Sequence, residues 1–388
     1  MFGRNQLVVK RTSHEKPYAG EPGPRRVAML IDSFEAGGAE RIAVEVASAL
    51  DRERYSPIVV ATRHGGPLED VLRRADVEYV VLGRRHGFSP RKYRRAHRLL
   101  RNVDLIHSHK LGSNLWGALL SRTTGVPLVV RDPTFSGTPS RVRTYGYRWW
   151  IAPVARCIIC PSTSLARSLY AEGVPPGLVE VIPNGVRLDA ALPREEARAE
   201  LGLDPAAFVV GIVARLREEK AHEVLFRAAA QLRDDGRDVT VCVVGDGPRR
   251  EALVETAEGL GLDGSIVWAG ERAEAKRLPA AFDVGVICSD FEGLPVAALE
   301  TLAAGVPMVC TAVGTMPDIL SEGAGLIVPV RDDAALATAI RSFIDDRAAA
   351  AEAGLRARDV VRQHYEYQQM VRAFERVYDR VLGRDTRG

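Results

Sequence analysis

The sequence has little cysteine, few aromatic residues, no long apolar run and almost no surplus of charge. Its five cysteines, in 388 residues, are an odd and low number. Cys157 and Cys160 form one C-x-x-C pair, while Cys242, Cys288 and Cys310 stand apart. No second pair completes a zinc site, and no disulfide framework is present. Such thiols are expected to be buried on strands in a reducing compartment. No stretch reaches the roughly 18 apolar residues that a spanning helix needs; runs such as Phe208 to Ala214 are strand-length. Residues 1–24 lack the apolar core of a secretory signal and are expected to form a disordered tail on a cytoplasmic protein. Fifty-three basic residues against 50 acidic leave +3, too small a surplus to imply a nucleic-acid partner. There is no G-x-x-x-x-G-K-[ST] stretch, which excludes a P-loop. There is also no D-x-D carboxylate pair of the kind that holds a nucleotide through a divalent metal. What remains is a globular composition, 46% hydrophobic and 27% charged, long enough for two or three domains at roughly 150 residues each.

Apolar, strand-like runs alternate with helix-like stretches along the chain. Val27 to Ile31, Pro57 to Thr62, Val77 to Leu82, Val103 to His107, Leu128 to Val130 and Cys157 to Cys160 form one series. Near Pro183-Asn184-Gly185 the texture changes, and a second series begins at Phe208 to Ala214. Thr240 to Gly245, Ile266 to Trp268, Val284 to Cys288, Pro307 to Cys310 and Leu326 to Val328 continue it. This alternation predicts an α/β chain of two doubly wound Rossmann-like domains with parallel sheets. The expected boundaries are residues 25–188 for the first domain and 189–365 for the second. Tyr367, Met370, Val371, Phe374, Val377, Tyr378 and Val381 recur at helical spacing. Residues 366–388 are therefore expected to form a helix that packs back on the first domain. Open α/β sheets bind ligands beyond the carboxyl ends of their strands, so the chemistry should lie just after strands.

Four stretches do. Asp290-Phe291-Glu292-Gly293-Leu294-Pro295 leads from a strand into a helix that carries Glu300 and ends at Gly305. The amides of its first turn suit a phosphate. Eight residues separate the two glutamates, on the order of 10 Å, so they can bracket an elongated ligand with hydroxyls at both ends, such as a nucleotide-sugar. Arg215 and Lys220 follow the strand Phe208 to Ala214 and can neutralise a diphosphate, the arginine in a bidentate fashion. Gly37 and Gly38 follow the first strand and permit close approach of backbone to a ligand, without the spacing of a dinucleotide site. His107 and His109 follow the fourth; His107 is placed in the strand and His109 beyond it, facing a ligand. No third ligand accompanies the two histidines, so no metal is expected.

Taken together, these residues resemble the retaining GT-B glycosyltransferases of the large family-4 class (glycosyl transferases group 1), over residues from about 26 to 382. The resemblance rests on Gly37-Gly38-Ala39-Glu40-Arg41, His107-Ser108-His109, Pro183-Asn184-Gly185-Val186, Arg215 with Lys220, Gly245-Asp246-Gly247-Pro248, and Glu292 with Glu300. It implies two domains facing a cleft and transfer of a sugar from a nucleoside-diphosphate sugar with retention of configuration, without a metal. It further implies that Glu292, with Gly293 and Leu294, contacts the donor sugar. Glu300 holds the ribose, and Arg215 and Lys220 bind the diphosphate. Gly37 and Gly38 approach the donor, and His109 sits by the reacting sugar, so that His109, Arg215, Lys220 and Glu292 form the catalytic set. Four positions depart from the pattern. Ala214 and Ala221 replace glycines, Arg131-Asp132 stands where a histidine often follows the strand, and Gly314-Thr315 replaces Gly-Gly.

From Arg84 to Arg101 the chain carries Arg84, Arg85, Arg91, Lys92, Arg94, Arg95, Arg98 and Arg101 and no acidic residue. With Arg141, Arg143, Tyr145, Tyr147, Arg148, Trp149 and Trp150 this suggests an aromatic–basic surface drawn to an anionic membrane. The implied acceptor is a glycan, lipid-linked or of the cell envelope, and the enzyme is expected to be cytoplasmic, peripheral to the inner face of the plasma membrane. Two alternatives stay open: a sugar-nucleotide epimerase of the same architecture, and a noncatalytic nucleotide-sugar-binding scaffold. A nucleic-acid-binding role has no base-reading element behind it.

Overall fold

The computed structural model describes residues 23–35, 37–84, 89–132, 141–272 and 274–383. The expected tail lies outside them except for Gly23 and Pro24. Arg85 of the basic stretch also lies outside them.

The chain divides into two compact units, one containing the residues up to Ile182 together with those from Val371 onward, the other running from Pro183 to Met370. In the first unit the strands are β1 (Arg25–Ile31), β2 (Tyr55–Ala61), β3 (Glu78–Val81), β4 (Leu105–His109), β5 (Leu128–Arg131), β6 (Ala155–Cys160) and β7 (Val179–Val181). Among the described residues they form a seven-stranded sheet in the order β3-β2-β1-β4-β5-β6-β7, all parallel. In the second unit β8 (Val209–Val213), β9 (Thr240–Val244), β10 (Ile266–Gly270), β11 (Val284–Ile287), β12 (Met308–Thr311) and β13 (Gly325–Val328) form a parallel sheet ordered β10-β9-β8-β11-β12-β13. Helices cover both faces, so the central strands are buried on both sides, which is why they read as continuous apolar runs. β11 is buried at every residue.

The strand order reverses once in each sheet, between β1 and β4 and between β8 and β11. At such a switch the two connections leave in opposite directions and open a crevice beyond the carboxyl ends. Gly37, Gly38, Arg215, Lys220, Glu292 and Glu300 follow β1, β8 and β11, and His109 is the last residue of β4.

The changeover between units falls a few residues before the expected boundary at 188. Val186 forms a parallel bridge with Glu366 and packs in an apolar cluster of the second unit with Leu299 and Val360. This ties residues 183–188 to that unit. The last helix, Tyr367–Val381, begins in the second unit and continues in the first. There Phe374, Val377 and Tyr378 are wholly buried. The Tyr55 hydroxyl donates to Asp379 Oδ1 at 2.7 Å, the Asp51 amide donates to Glu375 Oε1 at 2.9 Å, and Arg54 pairs with Asp379. All five cysteines are buried and free, and burial raises each thiol pKa, to about 12 at Cys160, Cys242 and Cys288. No helix among the described residues is long and apolar enough to cross a membrane.

Candidate active site

In the second unit, β8 delivers Arg215 and, after a single 3-10 turn (Glu218–Lys220), Lys220. β11 lies beside β8 and delivers the loop from Cys288 to Pro295, which enters the helix Val296–Ala303. The two loops are fastened together. The Asp290 amide donates to the Glu219 carbonyl at 2.9 Å, and the Cys288 thiol lies 3.2 Å from the Lys220 carbonyl. Lys220 Nζ pairs with Glu292 Oε1 at 2.5 Å, and the Ser289 hydroxyl donates to the same oxygen at 2.7 Å. Asp290 pairs in turn with Arg331. Glu300 is buried on its helix, and Arg215 lies exposed on its loop. The sequence places both glutamates near a ligand; the fold adds that both are sheltered from bulk water, the Glu292 side chain being 13% exposed.

Backbone packing fixes both loops. Gly314, with φ +55°, has no room for a side chain: a Cβ would stand 2.2 Å from the Gly293 carbonyl oxygen and 2.6 Å from that of Glu292. The Thr315 amide donates to the Gly293 carbonyl at 3.1 Å, and Asn184 Nδ2 donates to the Leu294 carbonyl at 3.1 Å. A Cβ on Gly245, φ +142°, would stand 2.0 Å from the Ala214 carbonyl oxygen, so the loop after β9 backs the loop of Arg215. Ala221 adopts the left-handed conformation, φ 49° and ψ 40°, one that glycine takes without steric cost.

In the first unit the helix Gly38–Ala49 follows β1, with Gly37 at its N-cap in an extended conformation. β4 runs two residues further than its apolar pattern predicts, so His109 is the last strand residue and caps the next helix, Lys110–Thr124. His109 is 1% exposed, and among the described residues neither of its ring nitrogens has a hydrogen-bond partner. Burial lowers its pKa well below the ordinary value, with His107, Arg131 and Lys110 adding repulsion. It is therefore a neutral imidazole at physiological pH. Burial and Arg131 likewise hold His107 at about 3. Lys110 follows with φ +68°, and its ammonium pairs with Glu40 beside the Gly37 backbone. This brings the ends of β1 and β4 together.

Arg131 ends β5 fully buried, its guanidinium 5.5 Å from the Phe374 ring centre, and burial lowers its pKa to about 10. Asp132 is buried against Arg143 at 2.8 Å. That pairing corrects the expected aromatic–basic surface. Arg143 also bonds Glu172 and lies in the interior, and Tyr147 is wholly buried, accepting from Asn114. Tyr145, Trp149 and Trp150 remain exposed, with Arg148 and Arg122 over the two tryptophan rings. The basic helix spans Pro90–Leu100 and buries only Ala96 and Leu100, which leaves its cations outward. Ser289 carries no signal of its own in the sequence, and Tyr378 reads there only as an apolar position of the last helix. Asn184 reads there as part of a turn and of the motif Pro183-Asn184-Gly185-Val186, not as a brace for the Leu294 carbonyl.

The description "Glycosyltransferase Family 4" matches residues 36–190, and "Glycosyl transferases group 1" matches residues 193–360. D-inositol 3-phosphate glycosyltransferase of Nocardia farcinica (strain IFM 10152) is 31% identical over 66% of this chain. The match spans 61% of that relative's length. EpsF of Bacillus subtilis (strain 168) is 25% identical over 92% of this chain and 96% of its own length. The crystal structure of Anabaena Alr3699/HepE in complex with UDP superposes with a TM-score of 0.81 at 22% identity, covering 92% of this chain and all of that one. The fold is GT-B, and the chain belongs to the family-4-type glycosyltransferases of group 1.

Proposed function

We propose that the chain transfers a sugar from a nucleoside-diphosphate sugar to a glycan acceptor with retention of configuration and without a metal. The observation that carries this reading is the Lys220–Glu292 ion pair, placed where β8 and β11 diverge. A cation and a carboxylate held together there match the two parts of such a donor. Lys220, Arg215 and the first amides of the helix Val296–Ala303 meet the diphosphate, whose charge grows as it leaves. Glu292, with Gly293 and Leu294, meets the sugar hydroxyls, and Glu300 meets the ribose. His109, neutral and with both nitrogens unpartnered among the described residues, contributes a hydrogen bond to the reacting sugar, and Gly37 and Gly38 let backbone approach the donor. The bond from the anomeric carbon to phosphate oxygen breaks as that from carbon to acceptor oxygen forms. The acceptor proton passes to the departing phosphate oxygen, so no protein nucleophile is needed.

UDP is the first nucleotide to try, because HepE carries it. Thermal melts with UDP, GDP and ADP, each alone, measure the preference, since a ligand that binds the native state raises its stability by about 2.7 kcal/mol at a hundred times its Kd. No shift with any of them would overturn the donor assignment, and epimerised donor without acceptor would favour the epimerase reading. For the acceptor, the exposed Trp149 and Trp150 and the outward cations of Pro90–Leu100 support a lipid-linked or cell-envelope glycan. The matching location is cytoplasmic, at the inner face of the plasma membrane. Each cation near an anionic surface contributes about 1 kcal/mol. Flotation with anionic vesicles at low salt tests this, and protein left at the bottom of the gradient would refute it.

A further inference from the structure

Three aromatic side chains connect the last helix to the end of β4. The Tyr378 hydroxyl and His107 Nδ1 share a hydrogen bond of 2.6 Å, both groups being wholly buried. The His107 ring lies 4.3 Å, centre to centre, from that of His109, with 37° between their planes. Phe374 closes the other side of His107 at 5.4 Å. Among the described residues His109 itself has no hydrogen bond to fix its ring. The contacts that set its orientation are therefore packing contacts, and the ring against it is held from Tyr378. A displaced or rotated His107 leaves His109 free to turn.

We propose that Tyr378 is a positioning residue: its hydroxyl donates to His107 Nδ1, fixes His107 with its proton on Nε2, and so sets the imidazole stack that presents His109. The proposal rests on the reading of His109 as a residue that touches the reacting sugar. Tyr378 reaches the chemistry only through His107, and it comes from a segment that joins the first unit after the chain has passed through the second.

The test compares Tyr378→Phe with Tyr55→Phe in the full chain. Both changes remove one buried hydroxyl at the seat of the last helix; the Tyr55 hydroxyl bonds Asp379 instead. Nitrogen-15 spectra of the histidine rings, assigned with His107→Asn and His109→Ala, should show His107 as the single Nε2-protonated tautomer in the parent and in Tyr55→Phe. In Tyr378→Phe they should show a tautomer mixture and a moved His109 resonance. UDP release from UDP-glucose and water should lose about threefold to tenfold in kcat, the worth of one hydrogen bond, with KM unchanged, in Tyr378→Phe alone. Equal kcat losses in the two variants, or a His109 resonance that stays put in Tyr378→Phe, overturn the proposal. The spectra decide the coupling even if sugar transfer proves to be the wrong reading, which an inactive parent or a fully active His109→Ala would reveal.

Discussion

Lys220 and Glu292 meet at 2.5 Å although 72 residues of chain separate them. Nothing local makes that contact. It exists because β8 and β11 are neighbours in a sheet whose order reverses between them. Each group holds the other in place, so one cation and one carboxylate are fixed side by side at the carboxyl ends of β8 and β11.

The two members should therefore fail differently. Lys220→Ala removes a charged hydrogen-bond donor, worth about 1.5–3 kcal/mol, and should weaken UDP binding about 10- to 100-fold by calorimetry. Glu292→Gln keeps a group that can still accept from Ser289. It should leave UDP affinity within about threefold and lower kcat by about 100-fold or more, the scale of losing one transition-state contact. Equal losses of UDP affinity in both would contradict the division of roles.

Gly314→Ala should be far costlier than an exposed substitution. A Cβ there meets two carbonyl oxygens of the Glu292 loop at 2.2 and 2.6 Å, and φ +55° adds strain of about 1–2 kcal/mol. Urea denaturation should show a loss of about 2 kcal/mol or more, accompanied by weaker UDP binding. A variant as stable as the parent would mean that the loop after β12 does not brace Glu292.

Ala221→Gly should act in the opposite sense. Alanine at φ 49° carries strain of about 1–2 kcal/mol, against about 0.5–1 kcal/mol for the extra freedom of glycine when unfolded. The expected outcome is a gain of about 0.5 kcal/mol in urea denaturation, with UDP affinity unchanged.

Stability should fall with acid. Burial lowers His107 to about 3 and His222, buried in the second unit, to about 4, against about 6.5 in the unfolded chain. Between those values the unfolded chain holds protons that the native chain does not, so the contribution is complete above about pH 6.5 and lost as pH falls toward 4. Each group contributes up to about 1.4 kcal/mol per pH unit. Urea midpoints at pH 5 and pH 7.5 measure the slope, and His222→Asn should flatten it for the second unit. A slope identical in parent and variant would show that His222 is not kept neutral by the fold.

The strands were legible because burial on both faces makes a parallel strand a continuous apolar run, as at Phe208 to Ala214. β7 was not, being three residues with Glu180 at its centre. β4 ends two residues beyond its apolar run, because His107-Ser108-His109 is polar and yet the sheet buries all of it. Arg215, Lys220, Glu292 and Glu300 could be named from their order after strands, but the pairing of Lys220 with Glu292 depends on strand order, which spacing does not encode. Arg143 and Tyr147 looked like surface because their residue types usually are. Asp132 and Glu172 supply the buried charge that draws Arg143 inward.

The helix Tyr367–Val381 also carries a consequence for biosynthesis. Phe374, Val377 and Tyr378 fill the first unit's interior, yet the ribosome makes them only after the whole second unit. The earlier-made half must wait with an apolar seat uncovered, while the later-made half can close as soon as it emerges. A nonsense codon shortly before residue 371 would thus spare the second unit and cripple its predecessor, and a chaperone that shields the nascent chain would be needed longest at its upstream end.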